Sequence, residues 1–92
     1  MASTSPGYGI TIRVEGSPDS QPVALATTVI TGAGATITAL DVVESLLEKV
    51  VIDITCDTID SDHADQITVA ISAHPELTVR KVSDRTFLLH LG

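Results

Sequence analysis

The chain has 92 residues, with 12 acidic against 5 basic side chains and a formal net charge of −7 with histidines neutral. That length accommodates one small domain, and the acidic balance argues against a general grip on nucleic-acid phosphates or an anionic membrane surface. Tyr8 and Phe87 are the only aromatic residues, so the core is aliphatic and bases have no stacking platform. Valine, isoleucine and threonine fill 31 positions, and these β-branched types favour a central sheet. The single cysteine, Cys56, leaves no intrachain disulfide and fits a reducing compartment. No apolar run reaches the ~18 residues of a membrane span. The N-terminus lacks the basic and apolar regions of a signal peptide. A soluble, cytoplasmic domain is expected.

Residues 1–8 are small, polar and broken by Pro6 and Gly7, the composition of a loose leader to a domain over 9–84. Ile10, Ile12 and Val14 alternate with Thr11, Arg13 and Glu15, the period of a half-buried strand. Gly16 to Ser20 is a turn cluster, and Pro22 suits the first turn of a helix. In that helix Leu25, Val29 and Gly32 share a stripe with Ala26 and Ile30 beside it, and Gly32 and Gly34 suit its end. Residues 35–43 read as a second strand, with Ile37 and Ala39 on one face and Thr36, Thr38 and Leu40 on the other. Asp41 would fall inward unless a bulge or the strand end intervenes, and the register stays open there.

Residues 44–49 contain a turn that includes Leu46 and Leu47. A third strand follows, with Val50, Ile52, Ile54 and Cys56 inward and Val51, Asp53, Thr55 and Asp57 outward. Asp60 or Ser61 can cap a second helix, with Asp62 and Asp65 near its positive end. Ala64, Ile67, Ile71 and His74 have helical spacing, Pro75 stops the helix, and residues 77–82 form a fourth strand. A short apolar run from Phe87 to Leu91 lies within residues 85–92, the start of a connection. The order strand, helix, strand, strand, helix, strand predicts an α+β, ferredoxin-like βαββαβ fold. Its antiparallel four-stranded sheet carries two helices on one face, the first and third strands are central, and the second is an edge.

No catalytic constellation emerges. Asp57, Asp60, Asp62, His63 and Asp65 are oxygen-rich, but the glycine and terminal glutamate of a calcium loop are missing, and acidic helix capping explains each member. Cys56 beside His63 or His74 suggests a nucleophile and base, yet its inward phase predicts a buried, inert thiol. His74 packs against or caps its helix end. Arg80, Lys81 and Arg85 are the basic cluster, either a solvated strand end or a docking patch for the next domain or a carboxylate ligand, and Asp41 is positioned to face them. A small zwitterion could bind at the turn Ser17, Asp19 and Ser20 together with Thr36, which the βαββαβ layout is expected to bring to the same end of the domain. The second strand, with Thr36, Thr38 and Leu40, has neither proline nor lysine to block pairing, so a symmetric dimer through this edge or the adjacent helix is expected.

The stretch Ile10 to Glu44 resembles an ACT domain, a small regulatory module attached to metabolic enzymes. The match lies in Pro22-Val-Ala-Leu opening a helix and Gly34-Ala-Thr-Ile-Thr-Ala-Leu-Asp-Val-Val leading the next strand. More narrowly, Thr36 to Ser45, Asp53 to Asp57 and Val79 to Gly92 are similar to the N-terminal segment of certain bacterial NAD-dependent malic enzymes. The resemblance implies a chain that continues past Gly92 into a region acting on malate with NAD and a divalent metal, while this stretch carries no cofactor of its own. Aligned on Pro22, Ser20 takes the polar position of the family's ligand turn, Val23 stands where glycine is usual, and Thr36 where asparagine is usual. The implied role is a non-catalytic regulatory domain whose partners are its own copy, the downstream catalytic domain and an amino acid or small carboxylate effector. The alternative is a purely structural dimerisation domain; a stand-alone enzyme lacks an acid–base pair.

Overall fold

Alternation decides the central strands. In the computed structural model, which describes residues 7–84, β1 (Tyr8–Gly16) and β3 (Val50–Thr58) pair antiparallel along their full length, from Tyr8 opposite Thr58 to Gly16 opposite Val50. Ile10, Ile12 and Val14 thereby face the same side as Cys56, Ile54 and Ile52, and all six are buried. Strand β2 (Thr36–Ser45) pairs with β3, and β4 (Leu77–Asp84) with β1, giving the spatial order β2-β3-β1-β4. Helices α1 (Pro22–Gly32) and α2 (Ser61–Ser72) pack on each other and cover one face. The fold is the ferredoxin-like βαββαβ arrangement, with two edges where expected. Strand β1 takes in Tyr8, which composition had assigned to the leader. The predicted roles of Arg85 and of the Phe87 to Leu91 run lie outside the described residues.

Helix α1 turns slightly from its predicted stripe, whereas α2 keeps its own and adds His63 to it. Helix α1 buries Pro22, Ala26 and Ile30, while Leu25 and Val29 are only partly covered. A side chain at Gly32 would meet open space, whereas Gly34, at φ +93°, makes the left-handed turn into β2 that favours glycine. Asp60 caps α2, its carboxylate accepting from the His63 amide at 2.8 Å. The α2 core residues are His63, Ala64, Ile67 and Ile71, with His74 half-buried at the far end.

The open register of β2 is settled by two bulges. Ile37 lies opposite Cys56, but Ala39 is opposite Thr55 and Leu40 opposite Ile54, so the pairing steps past Thr38; a second shift lies between Val42 and Glu44. The extra residue reverses the alternation. Leu40 and Val42 therefore share the helix side with Ile37, and Ala39 moves to the open face, the reverse of the unbulged phase. Asp41, opposite Asp53, is carried outward and escapes burial. The strand also runs on through Glu44 and Ser45, shortening the turn to residues 46–49, closed by the Leu46 amide donating to the Lys49 carbonyl at 2.8 Å.

Candidate functional site

The ends of the sheet separate the residues expected to form one ligand turn. Ser17, Asp19 and Ser20 follow β1 at Gly16, which shares a row with Val50 and Ser45. Thr36 shares the opposite end of the sheet with Asp57 and Gly9. Seven residues of strand rise, about 24 Å, lie between the two groups. Within one chain they do not meet, because an 11-residue helix carries the chain back along the sheet before β2 begins. The expectation that they share an end is corrected.

At the first group, Pro18–Ser20 forms a single 3-10 turn, and the Ser20 hydroxyl donates to the Ser17 carbonyl at 2.8 Å. Gln21 then adopts φ 53°, a left-handed conformation uncommon for a side-chain-bearing residue, and leaves the start of α1 without a side-chain cap. A shallow hollow of about 450 Å³ opens there, lined by Asp19, Ser20, Gln21, Ala24, Leu25 and Thr28.

Between α1 and α2, His63 acts as a clasp. Its Nδ1 accepts from the Ile59 amide at 2.9 Å, which leaves Nε2 to carry the proton donated to the Ala33 carbonyl at 2.8 Å. One side chain thus ties the end of β3 and the start of α2 to the turn between α1 and β2. The acidic neighbours of His63 in sequence are solvated, and among the described residues no group of three or more His, Cys, Asp or Glu is placed to hold a metal. Cys56 is fully buried, and burial, with Asp57 adding to it, pushes its thiol up to about 11. It stays protonated at neutral pH, which suits packing and not nucleophilic attack.

The face away from the helices carries the most organised polar chemistry. One transverse row runs Asp41, Asp53, Arg13, Lys81 across all four strands. Arg13 holds Asp53 with both arms of its guanidinium, Nε to Oδ1 at 2.8 Å and Nη2 to Oδ2 at 2.9 Å. That hydrogen bonding outweighs partial burial and, helped by the charges of Arg13 and Lys81, lowers the Asp53 carboxyl below its ordinary value. In the next row Thr11 and Thr55 share a hydrogen bond of 2.9 Å. Val51, read as an outward residue, does lie on this face but is buried there. Arg80 occupies a bulge of β4 and pairs with Glu15, and Lys49 lies 3.7 Å from Glu44. Asp41 does not face Arg80 and Lys81, because β3 and β1 intervene. The outward alternation of Arg13 and Asp53 was visible in the sequence; their pairing needed the register.

No family model matches the chain. It is similar to an NAD-dependent malic enzyme of Geobacillus stearothermophilus, 35% identical over 83 residues, which is 90% of this chain and 17% of that enzyme. The chain therefore corresponds to about one-sixth of the length of this relative. Among the described residues no helix is long and apolar enough to cross a membrane.

Proposed function

We propose that this chain is a cytoplasmic regulatory and oligomerisation domain of the ACT type, itself non-catalytic, belonging to an NAD-dependent malic enzyme. The similarity to that enzyme supports the association. In this reading oxidative decarboxylation of malate, with NAD and a divalent metal, belongs to a catalytic region elsewhere in the enzyme. The observation that carries the regulatory reading is the β2 edge. It presents ten residues of strand with Leu40, Val42 and Val43 each 39–49% exposed. An edge of this length and apolarity is a template for pairing with another strand.

Antiparallel pairing of β2 with the β2 of a second copy gives a symmetric dimer and a continuous eight-stranded sheet. It also brings the partner's Thr36 to the Ser45 end of the sheet, where Ser17, Asp19 and Ser20 follow β1. The two halves separated within one chain then lie at the same end of the continuous sheet, with β3 and β2 between them, and that end is where an amino acid or small carboxylate would be held. Sedimentation at ~100 μM should show the dimer, since a micromolar constant corresponds to about −8 kcal/mol; monomer alone would overturn it. A thermal-shift screen of amino acids and dicarboxylates tests the effector, with ~2.7 kcal/mol of stabilisation expected at 100 times the dissociation constant. A dimer with a flat screen would leave the purely structural reading.

A further inference from the structure

We propose that the open face of the sheet holds a small dianion in a groove between β1, β4 and the β2–β3 turn, gripped by the ammonium groups of Lys81 and Lys49. The chain has only five basic residues in a net charge of −7. Four of them, Arg13, Lys49, Arg80 and Lys81, line one groove of about 290 Å³, with Glu44 its single acidic member. Val43 and the buried Val51 supply its apolar wall. An adjoining hollow of about 100 Å³ shares Arg13 and Lys81 and adds the hydroxyls of Thr11 and Ser83, with Asp53, held by Arg13, as its acidic member. An acidic protein that gathers its cations around one concavity creates a local attraction for anions that its overall charge opposes.

The cations divide into two kinds. Arg13 is fixed by its two-armed bond to Asp53 and so is positioned before any ligand arrives, while Arg80 is engaged by Glu15 in a solvent-exposed pair. Lys81 makes no hydrogen bond or ion pair among the described residues, and Lys49 reaches Glu44 only at 3.7 Å with both ends well exposed. These two ammonium groups can turn toward a ligand without breaking a strong contact. Two mobile ammoniums over a fixed floor, with hydroxyl donors alongside, match a compact dianion such as phosphate or a short dicarboxylate. The groove lies on the opposite face from the helices and uses neither Ser20 nor Thr36. It therefore stands or falls independently of the effector end of the sheet.

The test is titration of the 92-residue chain at low ionic strength with inorganic phosphate and, separately, with succinate, followed by backbone amide NMR. Saturable shifts at Arg13, Lys49 and Lys81 are expected with at least one of the two anions, and the preferred one identifies phosphate or carboxylate as the recognised group. Lys81→Gln should weaken binding by about tenfold or more, Lys49→Gln by less, and Ser20→Ala and Thr36→Ala not at all. Both lysine variants are exposed changes that leave the melting temperature near its starting value. Equal shifts with sodium chloride at matched ionic strength, unchanged binding in Lys81→Gln, or failure of both anions to saturate would overturn the proposal.

Discussion

Strand β4 presents Arg80 and Lys81 at one edge of the sheet, with Arg80 displaced into a bulge and paired to Glu15. Strand β2, at the other edge, presents Leu40, Val42 and Val43, and its turn exposes Leu46 and almost the whole of Leu47. Charges and bulges are the usual protection against unwanted strand addition. The β4 edge has both. The β2 edge has bulges and the carboxylates of Asp41 and Glu44, but it has no cation, and its exposed Leu40, Val42 and Val43 leave pairing open. Two strands of similar length, each hydrogen-bonded along one side, are thus prepared for different fates by side-chain chemistry alone.

Removing what both edges rest on should have the largest effect. Ile54 is fully buried in the row between Ile12 and Leu40. Ile54→Ala should cost about 2–5 kcal/mol in chemical denaturation, and a loss under about 1 kcal/mol would mean the central pair is not the foundation. A charge tests the edges directly. Val42→Lys should weaken self-association by about tenfold or more, roughly 1.4 kcal/mol, while Thr78→Lys on β4 should leave the sedimentation profile unchanged. Equal effects from the two would erase the contrast.

The open face should respond more modestly. Asp53→Asn should cost about 1 kcal/mol or less, given the partial exposure of the pair. Because the folded carboxyl titrates below its unfolded value, its contribution is present above the ordinary carboxylate range and is lost as pH falls through the folded value. The variant should therefore show a shallower acid limb of stability, and an unchanged limb would show the pair to be idle. Arg80→Ala should have the smallest effect, under about 0.5 kcal/mol, since its pair with Glu15 is solvent-exposed. A larger loss would mean that the β4 edge is braced as well as blocked.

Element order, the core phase of β1 and β3, the inert thiol of Cys56 and the cap at Asp60 were all legible from the residues. Each depends on neighbours within a strand or one helical turn. The phase of β2 was not, because the bulge at Thr38 exists only in relation to β3, and one extra residue moves Ala39, Leu40, Asp41 and Val42 to the other face until the second shift after Val42. His63 was hidden for a similar reason: its sequence neighbours are solvated acids, and its partner carbonyl at Ala33 lies 30 residues away. The supposed proximity of Ser20 and Thr36 failed on direction, since a helix running back along the sheet returns the chain to the far end.

Local chemistry by itself determined the strands, helices and their order, because alternation, helical spacing and caps act over a few residues. Only the tertiary structure decided which strand faces align, that Asp41, Asp53, Arg13 and Lys81 form one row, and that four of five basic side chains border one groove. Those relations depend on pairings between distant segments, which shift by a whole face when the register moves by one residue.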